Sequence, residues 1–471
     1  MAKKEAKKIS AKATKAELPA ETAPKKTRIP ATPQPPRGMK DILPVEEKFW
    51  SFVRGKAESI ARAYGYDWLE TPILEETPLF VRAIGKQTDI VEKEMFTFVD
   101  QSGESLTLRP EATAPIARAY VNHGMLNLPQ PVKFFYIGPM FRHERPQSGR
   151  YRQFNQFGCE ILGDAKPVID AELIILGVRY FDDLGIPVGV EINSIGDAAE
   201  RAVYREKLIA YYRSHRSALC ENCKLRLVKN PLRLLDCKEE GCRKVRGGAP
   251  QLVDFLNDEN RNHFMKVLEF LDDADIPYVM NPYLVRGLDY YNKTVFEFVP
   301  RETQPAGEVG AEAEARQSSL GGGGRYDPLV EILGGRATPG AGFAIGLERV
   351  ILRLKEINAP VPETPRPAVY LAQLGEPAKR KALAIFEELR RAGIPVAATF
   401  TKDALKAQME IANKLGVKYA IILGQKEVLD GTMIIRDMDA GIQELVDAKK
   451  IVAEIRKKLA TPGSEEPKLP S

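Results

Sequence analysis

Apolar residues recur along this chain in two registers. Between residues 46 and 64, Phe49, Val53, Ile60 and Tyr64 return near helical spacing, and Gly65 supplies a C-terminal stop. Tyr66 to Leu74 then read as an extended segment broken by Pro72. Val132–Glu144 and Tyr151–Gly163 are apolar-rich strands flanking Arg145-Pro146-Gln147-Ser148-Gly149-Arg150, which predicts a hairpin with a basic, glycine-containing tip. Alternation places Gly138, Arg142 and Glu144 on one face of the first strand. It places Phe154, Gln156, Gly158 and Glu160 on one face of the second. Glycine weakens a strand, so charge and amide groups with glycine gaps between them predict open space for a ligand. From about 195 to 275 the pattern turns helical and charged and contains four cysteines, which predicts an inserted domain. Gly321 to Arg349 return to the pattern of the main body. Past the proline-rich stretch 359–367, a linker by composition, the alternation is regular. Val369–Leu374, Val396–Phe400, Tyr419–Leu423, Thr432–Arg436 and Gln443–Val446 read as strands. Pro377–Ala392, Lys402–Leu415 and Lys449–Leu459 read as helices. Alternating units of this kind predict a covered, mostly parallel sheet.

Composition narrows the class. A chain of 471 residues with 44% apolar side chains can bury roughly two to four domain cores. No apolar run approaches the ~18 residues of a membrane span, and residues 1–30 lack the apolar core of a signal peptide. Five cysteines suit a reducing cytoplasm better than a disulfide scaffold. The net charge of +5 misleads: residues 1–30 hold eight lysines, Arg28 and three glutamates, a net of +6, which leaves the remainder near −1. Any nucleic-acid surface is therefore a local patch. Residues 1 to about 35 are too poor in large apolar groups to repay the entropy of folding; a solubilising leader and weak phosphate binding both fit them. Residues 301–319, rich in Glu, Ala, Gly and Gln, predict a mobile loop.

The most telling stretch is Leu284-Val285-Arg286-Gly287-Leu288-Asp289-Tyr290-Tyr291, which runs into a Thr-Val-Phe-Glu-Phe-Val strand. Arginine brings a permanent charge and a planar fork suited to carboxylate and phosphate. Tyrosine brings a flat wall with a hydrogen-bonding tip. The run resembles a signature of the histidyl-tRNA synthetase family, within the class II aminoacyl-tRNA synthetases. Phe141-Arg142-His143-Glu144 resembles class II motif 2, and Gly342 to Arg349 resembles motif 3. The segment from 46 to 74 resembles motif 1, which builds a dimer interface. Gly323-Gly324-Arg325-Tyr326-Asp327 matches a second histidine-specific signature. The likeness covers about residues 36–460.

The resemblance implies an α+β catalytic domain with an antiparallel sheet (36–194 and 276–358), a helical insertion domain (195–275) and a linker (359–367). A C-terminal α/β anticodon-binding domain (368–460) follows. Tails at 1–35 and 461–471 lie outside it. The implied reaction joins L-histidine and ATP to histidyl-adenylate and passes histidine to the 3′ end of tRNA-His. The implied assembly is a cytoplasmic homodimer, with Mg2+ accompanying ATP. Arg142, Arg286 and Arg349 would meet the phosphates and the substrate carboxylate, and Glu144 the adenine amino group. Glu111, Thr113 and Gln156 would grip the α-amino group. Glu160 and Tyr291 would address the two imidazole nitrogens, with Tyr290 and Tyr326 lining the pocket. Strict alternation favours Tyr290 beside Arg286, and a bulge or bend at Gly287 would change that phase. Arg145, Gln147 and Arg150 at the hairpin tip would read the acceptor end of the tRNA.

Cys220, Cys223, Cys237 and Cys242 form a C-x2-C…C-x4-C pattern, open to structural zinc or to reduced free thiols. A non-catalytic alternative also exists. The regulatory subunit of ATP phosphoribosyltransferase resembles this catalytic body, and would be expected to lack the C-terminal domain and carry degraded signatures around Arg286. Prolyl or threonyl synthetases would lack both histidine signatures.

Overall fold

Two long strands dominate the architecture: β5 (Val132–Phe141) and β6 (Gln153–Leu162), paired antiparallel along their full length. Six more strands join them in one sheet. These are β1 (Asp67–Trp68), β7 (Val188–Ser194), β8 (Tyr278–Met280), β9 (Asn292–Pro300), β10 (Gly321–Arg325) and β11 (Gly340–Gly346), in the order β1-β5-β6-β11-β10-β9-β7-β8. Only the two edge pairings are parallel. A small sheet of β2 (Leu74–Glu76), β3 (Phe96–Val99) and β4 (Ser105–Leu108) stands apart. The computed structural model describes residues 32–146, 148–301, 319–364 and 366–460. The basic tail except residues 32–35, Gln147, residues 302–318 of the expected loop and the segment 461–471 lie outside them.

The alternation of β5 and β6 decides which face does what. Phe135, Phe157, Cys159 and Ile161 point to one side. There they pack under α1 (Glu47–Ala63), α4 (Pro167–Asp183), α8 (Asp258–Asp273) and α10 (Leu347–Glu356), in the larger apolar cluster. Phe134, Tyr136, Met140 and Leu162 point the other way, toward α2 (Thr77–Ile84), α3 (Thr113–Asn122) and α9 (Leu329–Ile332). On this second face Gly138 pairs with Gln156, Tyr136 with Gly158 and Phe134 with Glu160, so the two polar rows do share a face. The glycine gaps are not open, however. A Cβ at Gly158 would lie 2.3 Å from the Tyr136 ring, and one at Gly138 would lie 2.6 Å from the Arg109 guanidinium. Large side chains of the protein itself fill the space expected for a ligand.

The strands are also shorter than the apolar pattern predicts. Past Phe141 one bond across the hairpin remains, Arg142 N–H to the Arg152 carbonyl at 2.9 Å; then His143 donates to the Glu94 carbonyl at 2.7 Å and Glu144 to Arg142. Arg142 and Glu144 therefore sit past the strand end rather than on its face.

The insertion carries α5 (Ala198–Ser214), α6 (Glu221–Lys229) and α7 (Glu240–Arg246). The helix α8, also within the expected insertion of 195–275, instead contributes Phe264, Val267, Leu268 and Leu271 to the core of the main sheet.

The C-terminal sheet holds β12 (Val369–Gln373), β13 (Val396–Ala398), β14 (Tyr419–Leu423), β15 (Thr432–Asp437) and β16 (Gln443–Asp447), in the order β13-β12-β14-β15-β16. It is flanked by α11 (Glu376–Arg391), α12 (Leu405–Leu415), α13 (Gln425–Asp430) and α14 (Ile451–Ala460). It is mixed rather than mostly parallel: β13-β12-β14 run parallel, and β14-β15-β16 antiparallel. A parallel crossover needs a dozen or more residues. The single short helix α13, ended by left-handed Gly431, is too brief for one.

Candidate active site

The second face of the main sheet carries a group of buried carboxyls and phenols. Glu160, on β6, is 1% exposed. Thr113 Oγ1 donates to one of its oxygens at 2.7 Å and the Tyr326 hydroxyl to the other at 2.5 Å. Burial pushes this carboxyl up to about 8, against the pull of those two donors. Gly342 on β11, paired with Glu160, leaves its carboxyl room; a Cβ there would lie 1.7 Å from a Glu160 oxygen. Glu111 lies nearby and accepts the backbone N–H groups of Thr113 and Ala114 at 2.7 and 3.0 Å. These are the first amides of α3, so Glu111 caps a helix and does not depend on a ligand for its partners. Burial still raises its pKa, with the α3 amides and more weakly Arg142 opposing. Tyr290 reaches Glu111 at 3.4 Å, and its ring lies 4.7 Å from that of Tyr291 and 5.9 Å from that of Tyr326. Glu111, Thr113, Glu160, Tyr290, Tyr291 and Tyr326 thus form one buried cluster. Gln156, one pleat along β6 from Gly158, presents a buried side-chain oxygen with no protein partner.

The arginine signature is a loop, not a strand. Residues 284–291 are irregular, with a bend at Gly287 and Leu288 and a turn at Asp289 and Tyr290, and β9 starts only at Asn292. Alternation therefore does not apply, and Tyr291 is the residue under the Arg286 guanidinium, 5.6 Å from ring centre to charge. Gly287 does lie in a bend, and irregularity continues past it: Lys293 has φ 48°, and the β9–β10 register shifts between Gly324 and Arg325. Arg286 pairs with Glu297 on β9. Burial acts to lower the Arg286 pKa, but Glu297 and the two tyrosines outweigh it and leave the guanidinium more firmly charged. A Cβ at Gly322 would come within 3.1 Å of Arg286 Nη1.

A second cationic group lies at the mouth of the hairpin. Arg142 donates from Nε to the Pro110 carbonyl at 2.9 Å and lies over the Phe154 ring. Arg349, at the start of α10, donates to the carbonyls of Gly149 and Ser319 at 3.1 and 2.6 Å. Burial lowers its pKa first, with Arg150 and Arg142 adding repulsion. Three guanidinium groups in one another's field make a place for a polyanion. Glu144 is paired with Arg150 at 3.4 Å. Arg145 is exposed at the tip. Cys220, Cys223, Cys237 and Cys242 gather separately, in the insertion.

Two supports were missed by the sequence reading. Arg325, between Gly324 and Tyr326, is fully buried and ion-paired with Asp170 at 2.7 Å and Asp327 at 3.1 Å. It anchors the strand end that aims Tyr326 at Glu160. Glu348 accepts both the backbone and side-chain N–H of Asn155, at 2.9 and 3.0 Å, tying β6 to the residue before Arg349. The charged triplet Arg-Tyr-Asp on a glycine-rich strand was a signal for the first. Nothing local signals the second, since its partners are 193 residues apart.

Comparisons with known proteins show the family. The family model for histidyl-tRNA synthetase matches residues 38–196 and 239–350, and that for an anticodon binding domain matches 368–458. A histidine–tRNA ligase of Dehalococcoides mccartyi is 46% identical over 90% of this chain and 100% of its own length. One from Desulforudis audaxviator is 48% identical over 90% of this chain and 98% of its own. The crystal structure of apo histidyl-tRNA synthetase from S. aureus superposes with a TM-score of 0.72 at 34% identity, covering 90% of this chain and 99% of that one. A buried acid framed by tyrosines, arginines at the loop and the hairpin mouth, and full-length relatives converge on one assignment: the chain belongs to the histidyl-tRNA synthetase family.

Proposed function

We infer that this chain is a histidine–tRNA ligase, an enzyme that activates L-histidine with ATP and transfers it to tRNA-His. The observation that carries the reading is the run of contacts from a buried carboxyl, Glu160, through Tyr326, Tyr290 and Tyr291 to Arg286. Activation forces a carboxylate onto the α-phosphate, so two anions must meet. Cations fixed beforehand where charge develops lower that barrier most. Arg286 and Arg142 take the α-phosphate and the substrate carboxylate from two sides. Arg349 holds the γ-phosphate, Glu144 meets the adenine amino group, and Mg2+ enters as the counter-ion of ATP. Pyrophosphate leaves as the acyl-phosphate bond forms. The terminal adenosine of the tRNA then takes the histidyl group and AMP departs.

Glu160 accepts one imidazole N–H and Tyr291 addresses the other nitrogen. Tyr290 and Tyr326 close the walls. Gln156, with its unpartnered oxygen, joins Glu111 and Thr113 around the α-ammonium. Arg145, Gln147 and Arg150 meet the acceptor end of the tRNA, and the C-terminal unit meets its anticodon. Exposed Trp68, Ile73 and Leu74, beside the edge strand β1, support a homodimer through this face. Five free cysteines and the absence, among the described residues, of a helix able to cross a membrane support a cytoplasmic site. The regulatory alternative is disfavoured by the C-terminal unit and the intact Arg286 signature.

The test is histidine-dependent ATP–pyrophosphate exchange by wild type and Arg286→Ala. Exchange with histidine alone among amino acids, collapsing in the variant, supports the reading. A folded wild type that binds histidine yet exchanges nothing sinks it.

A further inference from the structure

We propose that Cys220, Cys223, Cys237 and Cys242 hold a zinc ion that staples the insertion together. The four come from three separate segments: the start of α6, the turn after the short helix Pro231–Leu234, and α7. Yet all four Sγ atoms lie within 4.8 Å of one another, with Cys220 and Cys237 at 3.9 Å. A tetrahedral zinc with Zn–S near ~2.3 Å separates its sulfurs by about 3.8 Å, so the thiols need only small movements to take the ion. None forms a disulfide.

The surroundings suit a metal better than plain packing. Four thiols meeting at one point are poor filler, since each is a small hydrophobe with only a weak donor to place. The Cys220 backbone N–H already points at Cys242 Sγ, 3.2 Å away, as amides do toward metal thiolates. Four thiolates with Zn2+ carry a charge of −2. Residues 220–246 hold eight basic and four acidic side chains, a net of +4 that offsets it. The need for a staple is local. The nine-residue α6 and seven-residue α7 are too short to stand alone. The knot they form also reaches the main body: Arg246 of α7 lies 4.5 Å over the Tyr283 ring, and Arg233 pairs with Asp89 at 3.2 Å. Tyr283 begins the turn that leads to Arg286, so a loaded site fixes the base of that loop.

The experiment measures metal in the full chain purified under reducing conditions without a metal-affinity tag. The expected result is about one zinc per chain by mass spectrometry, falling to background in Cys220→Ser/Cys237→Ser. Because that variant may lose the insertion's fold, stripped wild type is also titrated with Co2+. A saturable thiolate-to-cobalt charge-transfer band at one equivalent, displaced by zinc, supports the site. Background zinc in wild type together with no thiolate band on Co2+ addition overturns it. Both readouts are independent of aminoacylation, so they stand or fall apart from the proposed activity.

Discussion

The two large sheets bury polar groups for different ends. In the C-terminal sheet, Gln373 and Gln408 satisfy one another: the Gln373 backbone N–H donates to Gln408 Oε1 at 3.1 Å, and Gln408 Nε2 donates to the Gln373 carbonyl at 2.8 Å. They join β12 to α12, yet Gln373 Oε1 is left buried without a partner. Against the eight-stranded sheet, Glu160 and Glu111 gather with three tyrosines, and Gln156 Oε1 on β6 is likewise without a partner. What sets the second group apart is a pair of carboxyls, Glu111 and Glu160, whose pKa burial raises. Buried polarity, even an orphaned amide oxygen, does not separate the two sheets; the buried carboxyls do.

The sharpest break in that contrast is Arg142→Ala. Loss of a cation aimed at developing charge should lower histidine-dependent exchange by about 10³-fold with little change in melting temperature. Next comes Glu160→Gln, which keeps the shape but removes the acceptor. The KM for histidine should rise about 100-fold, since the ring N–H then faces an amide of the wrong polarity or an unpaired group.

The same variant tests proton linkage. Glu160 titrates near 8 in the fold against an ordinary value of 4.5. Between those values the folded chain binds a proton that the unfolded chain has lost. The group's contribution to stability is therefore full below pH 4.5 and is lost as pH rises through about 8. Denaturant melts of ligand-free protein from pH 5 to 8 should show wild type losing stability relative to Glu160→Gln; parallel curves would refute this.

Gln408→Leu probes the other sheet. Stranding the Gln373 amide should cost about 1–3 kcal/mol of stability while exchange stays unchanged. The smallest effect is expected of Arg145→Ala/Arg150→Ala: a several-fold rise in the KM for tRNA that shrinks as salt is added, with exchange intact.

Most of the pocket was legible in the chain because its parts are local words. The hairpin, the Arg286 run and the Gly-Gly-Arg-Tyr-Asp strand each place their chemistry within a few residues. What escaped depends on folding. Tyr291 sits under Arg286 because residues 284–291 are irregular and bent, and a two-residue period cannot describe such a loop. Gly138 and Gly158 looked like ligand space because the sequence does not say that Arg109 and Tyr136 return to fill it. Asn155 and Glu348 have no local pattern at all. In the C-terminal sheet the mixed strand order was hidden in α13, a single short helix between two good strands.

One feature of the pocket also limits how this protein can drift. Thr113, Glu160 and Tyr326 sit on α3, on β6 and just past β10, and one carboxyl group links all three. On the proposed reading the atoms that recognise the substrate are thus also a crosslink between distant parts of the chain. A lineage that began to abandon histidine at this position would loosen the joint before it gained a new preference. Selection for mere foldedness would then keep guarding the acid, even in a descendant that no longer charged tRNA.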